Sequence, residues 1–72
     1  MMNRAYAVAK NGEIDARTVG PTERSAKVNW LVTTAGIMVG AHWTDEAIDF
    51  AWKEARGAHD LVAIDMRIVA VR

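Results

Sequence analysis

Apolar and polar positions alternate along three stretches of this chain and recur at helical spacing along two others. One alternation is written twice. Ile14-Asp15-Ala16-Arg17-Thr18-Val19 and Ile64-Asp65-Met66-Arg67-Ile68-Val69 share the order Ile-Asp-x-Arg-x-Val. A period of two marks a strand with two unlike faces. Antiparallel pairing of the two runs sets Asp15 opposite Arg67 and Arg17 opposite Asp65, whereas parallel pairing in register sets like charges together. The expectation is an antiparallel pair with a charged outer face.

Ala5 to Ala9 alternates as a first strand, and Asn11-Gly12 is a hairpin turn signal. A two-residue loop pairs Lys10 with Glu13 and puts Tyr6 and Val8 on the face of Asp15 and Arg17. A three-residue loop, with Gly12 in a left-handed bulge position, aligns Val8 with Ile14 and Tyr6 with Ala16. The second register gathers the large apolar side chains of the hairpin on one face and is preferred. Ala5, Ala7 and Ala9 then join the Asp/Arg face.

After Gly20-Pro21, Thr22 is the expected N-cap of a helix that runs to about Ala35 and stops at Gly36. Val28, Leu31, Val32 and Ala35 form its sheet-facing stripe, and Trp30 points nearly opposite, with Ala26 and Thr33 beside it. Ile37-Met38-Val39 reads as a buried connector or a short extended segment. Thr44 caps a second helix, with Asp45 and Glu46 in its first turn and Gly57 beyond its end. Ala47, Ile48, Ala51, Trp52 and Ala55 share one side of it. Leu61 to Val71 is the third strand, with Val62, Ile64, Met66, Ile68 and Ala70 inward.

These elements predict one α+β domain over residues 1–72, in the order β-β-α-α-β: a three-stranded antiparallel sheet with two helices packed on one face. Two helices that reverse the chain twice return it beside the second strand, antiparallel to it. The alternative inserts the third strand beside the first, parallel to it.

Composition narrows the function classes. Half of the 72 residues are apolar and nine acids balance nine bases, so no overall field attracts nucleic acid or an anionic membrane. No cysteine is present, which removes disulfides and thiolate metal sites. No apolar stretch approaches the ~20 residues that span a bilayer. The expected setting is cytoplasmic, without a membrane partner.

Catalytic chemistry finds little to stand on. His42 and His59 flank the second helix, whose ends lie roughly 20 Å apart, too far to share one metal. Asp15 and Asp65, paired to arginines, are poor general acids. No Gly-rich phosphate loop links a strand to a helix. No catalytic, cofactor or metal residue is assigned, and a small enzyme around His42 is the outlying alternative. A nucleic-acid accessory role would use Arg17 and Arg67, with Lys10 and Arg72, but the face lacks aromatic platforms and each arginine has an acid opposite.

Trp43 and Trp52 are expected to close the core. Trp30 is either covered by the second helix and the Ile37–Val39 connector or stands as an aromatic anchor for a partner, with Ala26 and Thr33 around it. Arg17 and Arg67 complete the candidate partner-binding set. The sheet face without helices, with Ala5, Ala7, Ala9, Val19 and Val69, is a candidate homodimer contact, as is the Ala-rich first strand read as an edge.

Ala5-Tyr6-Ala7-Val8, Gly12-Glu13-Ile14-Asp15-Ala16-Arg17-Thr18-Val19, Val28-Asn29-Trp30-Leu31-Val32 and Thr44-Asp45-Glu46 resemble a set of small single-domain proteins of bacteriophages and prophages that have no assigned activity. Lys27 departs from that pattern, which has an apolar residue there. The resemblance implies a bacterial or phage-encoded protein that binds a host or phage protein. The leading expectation is a non-enzymatic protein-binding module.

Overall fold

Asn11 and Gly12 both take positive φ, 53° and 81°, as a two-residue hairpin turn requires. In the computed structural model, which describes residues 3–66, this turn joins β1 (Asn3–Lys10) to β2 (Glu13–Gly20). Lys10 faces Glu13, Ala9 faces Ile14 and Val8 faces Asp15. The loop is therefore the two-residue one, and the preferred three-residue register is corrected. A one-residue slip exchanges the faces of a strand. Asp15 thus lies on the side of Val8, and Ile14 on the side of Ala9.

The apolar pattern that favoured the longer loop is accommodated further along. Beyond Val8–Asp15 the next partner of β1 is Tyr6, opposite Gly20. Ala7 alone therefore stands against Ala16, Arg17, Thr18 and Val19. This wide bulge is held from within. The buried Thr18 hydroxyl accepts the Val8 N–H at 2.8 Å and donates to the Asp15 carbonyl at 2.7 Å. The Arg17 N–H donates to Asp15 Oδ1 at 3.0 Å. A side chain here replaces the backbone acceptor that a regular ladder would supply.

Gly20 then leaves no room for a β-carbon, because the Ser25 side chain lies against it. Ser25 belongs to α1 (Glu23–Thr33), capped by Thr22: Thr22 Oγ1 accepts the Ser25 N–H, and Ser25 Oγ accepts the Thr22 N–H, each at 3.0 Å. Thr44 caps α2 (Asp45–Ala55) through the Ala47 N–H. The last strand is β3 (His59–Met66).

Strand order is β2-β1-β3, with both pairings antiparallel. The α+β class, the β-β-α-α-β order and the antiparallel sheet stand, but both strand placements are corrected. β3 lies beside β1, not β2, and runs antiparallel to it, not parallel. The cause is the path between the helices. Arg24 meets Asp45 at 2.7 Å, Lys27 meets Asp49 at 2.6 Å, and Trp30 meets Trp52 at 5.1 Å between ring centroids. These contacts advance together along both helices, so α1 and α2 are parallel. Residues 35–43 must then cross back along the domain. Nine extended residues reach up to ~30 Å, ample for a helix of about 16 Å. The connector is a third traverse, back to the end where α1 began, and α2 then delivers the chain to the hairpin end, where His59 pairs with Lys10.

The core lies on one face of the sheet: Val8, Trp30, Leu31, Ile48 and Trp52, with Val28, Ile37, Val39, Trp43 and Leu61 packed around them. Pairing of Val8 with Leu61 puts Leu61 and Ala63 on this helix side. Val62 and Ile64 therefore belong to the opposite face, a correction to their expected inward position. Met66 pairs with Asn3 at the end of the ladder, and Ile68 and Ala70 lie outside the described residues.

Candidate binding surface

The face of the sheet that carries no helix is apolar. Ala5, Ala7 and Ala9 run down its centre, opposite Ile64, Val62 and Asp60 of β3. On the other flank Ile14 pairs with Ala9, and Val19 precedes the Gly20 that faces Tyr6. The alanines are almost inaccessible, at 4%, 0% and 5% exposed, because their methyl groups lie below larger neighbours on both strands. Ile14 and Val19 stand out at 51% and 39%. The result is a shallow alanine trough between two apolar banks. Its one charged member, Asp60, sits at the end and contacts Arg56 at 3.5 Å.

The Asp/Arg pairs expected on this face are elsewhere and otherwise partnered. Arg17 turns back on Asp15 of its own strand, with Nη2 3.0 Å and Nε 3.2 Å from the carboxylate. These bonds and the Arg17 N–H hold the Asp15 carboxyl below the ordinary range. Asp65 faces Arg4 of β1, at 3.9 Å. An Arg17–Asp65 pair cannot form, since β1 separates the two strands. Arg67, and with it the Asp15–Arg67 pair, lies outside the described residues, as do Val69 and Arg72.

Asp15 and Arg17 instead line a polar groove of about 450 Å³ at the hairpin end, with Lys10, Glu13, Thr34 and His59. His59 Nδ1 is 2.8 Å from the Arg56 carbonyl, an arrangement in which Nδ1–H donates and Nε2 is left for another contact. Its ring rests on Trp30, 5.0 Å between centroids. His42 is at the far end of α2, beside a shallow apolar hollow formed with Trp43, Thr44 and Ala47. Among the described residues no three His, Cys, Asp or Glu side chains could hold a metal ion together.

The candidate partner-binding residues do not share a surface. Trp30 is 3% exposed, edge-on to Trp52 at 84°, with its Nε1 buried and unpartnered. Its exposed-anchor reading is replaced by the covered one, and α2 is the cover. Ala26 is fully buried. Thr33 is exposed, but its hydroxyl donates to the Asn29 carbonyl at 2.6 Å. Of the four that lie among the described residues, only Arg17 is both exposed and near a concavity.

Comparisons with protein-family models, with curated proteins and with solved structures find no match. Among the described residues no helix is long and apolar enough to cross a membrane. The residues that sequence reasoning passed over are Ile14, Val62 and Ile64. The side of Ile14 follows from the two-residue turn, and that of Val62 and Ile64 from the pairing of β3 with β1, for which the sequence carries no local signal.

Proposed function

We propose that this chain is a small, non-enzymatic protein-binding module, and that the helix-free sheet face is the surface it offers. The observation that carries this reading is the composition of that face. Ile14, Val19, Val62 and Ile64 bank a trough of alanines, while Asp15, Arg17 and Asp65, expected there, are occupied elsewhere. Contiguous apolar surface on a small domain is a mark of interaction sites. A partner would bring a complementary apolar ridge, seated in the trough, with Ile14 and Val19 as its main contacts. The resemblance to small phage and prophage proteins supports a bacterial setting and a host or phage protein as partner.

A photo-crosslinking amino acid at Ile14, expressed in bacterial cells, should trap a discrete partner that the same group at Glu54 on α2 does not. Val19→Lys in the Ile14-labelled protein should abolish that adduct. Equal labelling from both positions, or an adduct indifferent to Val19→Lys, would count against the face.

A further inference from the structure

We infer that the free edge of β3 pairs with the β3 of a second copy, antiparallel about a two-fold axis at Val62, to make one six-stranded sheet. The inference goes beyond the proposed function, because it concerns the edge of the sheet and not its face.

Two hydrogen bonds show which way the β3 backbone points. The Val8 N–H is turned toward β2, where it meets Thr18 Oγ1. Its partner Leu61 therefore sits in a non-hydrogen-bonded pair, with its own N–H and C=O turned away from β1. The His59 N–H, two residues earlier, is likewise bonded outside the ladder, to the Arg56 carbonyl. By alternation His59, Leu61, Ala63 and Asp65 present their backbone groups to the outer side, where no described strand pairs with them. That edge has no proline, no lysine and no bulge. Such an edge is a template for a further strand.

The same parity selects the second copy's orientation. Outward groups must meet outward groups, so odd positions oppose odd positions. This puts Val62 and Ile64 of both copies on one side and both helix layers on the other. Of the registers left, the one centred on Leu61 sets Asp60 against Val62 and Ala63 against His59. The one centred on Ala63 sets Leu61 against Asp65. Centring on Val62 sets Leu61 against Ala63 and brings His59 opposite Asp65. There His59 Nε2 faces a carboxylate whose own arginine is 3.9 Å away, and since Nδ1 already donates to the Arg56 carbonyl, Nε2 donates to that carboxylate as part of an imidazolium. About six backbone hydrogen bonds close the seam, since His59 contributes only its carbonyl. The alanine troughs of the two copies then lie side by side in one continuous apolar face.

Val62 meets its own copy in a non-hydrogen-bonded pair, with Cα atoms about 4.5 Å apart, within disulfide range. The chain has no cysteine, so Val62→Cys introduces one reporter. Under mild oxidation Val62→Cys should form a covalent dimer. Ile64→Cys should not, because its copies lie roughly 13 Å apart along the seam. Sedimentation equilibrium of the wild type should give a dimer mass, and Ala63→Pro, which removes an outward N–H, should give a monomer with an unchanged circular dichroism spectrum. If Ala63→Pro unfolds, the two cysteine variants decide. A wild-type monomer at millimolar chain, or faster crosslinking of Ile64→Cys or Ile14→Cys than of Val62→Cys, would overturn the seam. Neither result touches the proposed function, which is read from the Ile14 adduct with its partner.

Discussion

β2 and β3 flank the same central strand, yet their outer edges are built on different terms. Along β2 a bulge interrupts the ladder, Arg17 folds onto Asp15, and α1 follows directly at Gly20. Along β3 eight residues pair with β1 without a break. A bulged, charged edge resists further pairing, whereas a regular one invites it. The shared run Ile-Asp-x-Arg-x-Val fills most of β2 but enters β3 only at its last three residues, Ile64, Asp65 and Met66, so the unbroken ladder of β3 rests mainly on other residues. β3, as described from His59 to Met66, has no hydroxyl side chain, whereas the bulge of β2 is held by the Thr18 hydroxyl. A hydroxyl at that position can bond backbone on both sides of a bulge, and an alkyl group cannot.

The largest expected effect therefore comes from removing that hydroxyl. Thr18→Val keeps the volume but strands the Val8 N–H in a fully buried setting and frees the Asp15 carbonyl. An orphaned buried donor costs about 1–3 kcal/mol, so a loss of about 2–3 kcal/mol is expected in urea unfolding. Thr18→Ser, which keeps the hydroxyl, should lose about 1 kcal/mol. Equal losses from both would mean that packing and not hydrogen bonding holds the bulge.

Much of the fold was legible in the chain. Thr22 and Thr44 mark the helix starts because a capping hydroxyl needs only local backbone, and Asn11-Gly12 marks the hairpin for the same reason. The errors are all non-local. Counting helices as reversals took residues 35–43 for a link, when their length allows a full traverse and parallel helices. That one step moved β3 to the wrong neighbour. It also left the cover of Trp30 open between the second helix and a partner, which the packing of Trp52 edge-on against it decides for the helix. The binding face was misread through register. Alternation tells which residues share a side, but the turn and the bulge together decide which side is covered.

The turn offers a second, smaller probe of how β2 is held. Gly12 sits at φ 81°, with open space where a β-carbon would project. Gly12→Ala therefore carries only a backbone penalty, about 1–2 kcal/mol. It should strain the β1–β2 hairpin and leave the β1–β3 ladder intact. Amide exchange resolves the two: faster exchange at Lys10 and Glu13, with Val62 and Ile64 unchanged, is the expected pattern. Uniform acceleration across all three strands would show that the two edges are not independently held.

The smallest effect concerns the charge on the guarded edge. The Asp15 carboxyl is held below the ordinary carboxylate range, first by the Arg17 guanidinium and then by the Arg17 N–H. A carboxyl depressed in the folded state adds stability that is present above its unfolded value, near ~3.9, and is lost as pH falls through the folded value. Acid should thus weaken β2 before any change above that range. In Arg17→Ala the guanidinium goes but the backbone N–H at position 17 stays, so the carboxyl should rise part of the way and not the whole way. A carbon-detected titration of the Asp15 carboxyl in both proteins measures this. A full return to the ordinary value would show that the bulge backbone gives no help to the carboxylate, and an ordinary value in the wild type would dissolve the Asp15–Arg17 guard itself. If the guard holds, β2 keeps its charge pair through neutral pH and leaves β3 as the edge open to another strand.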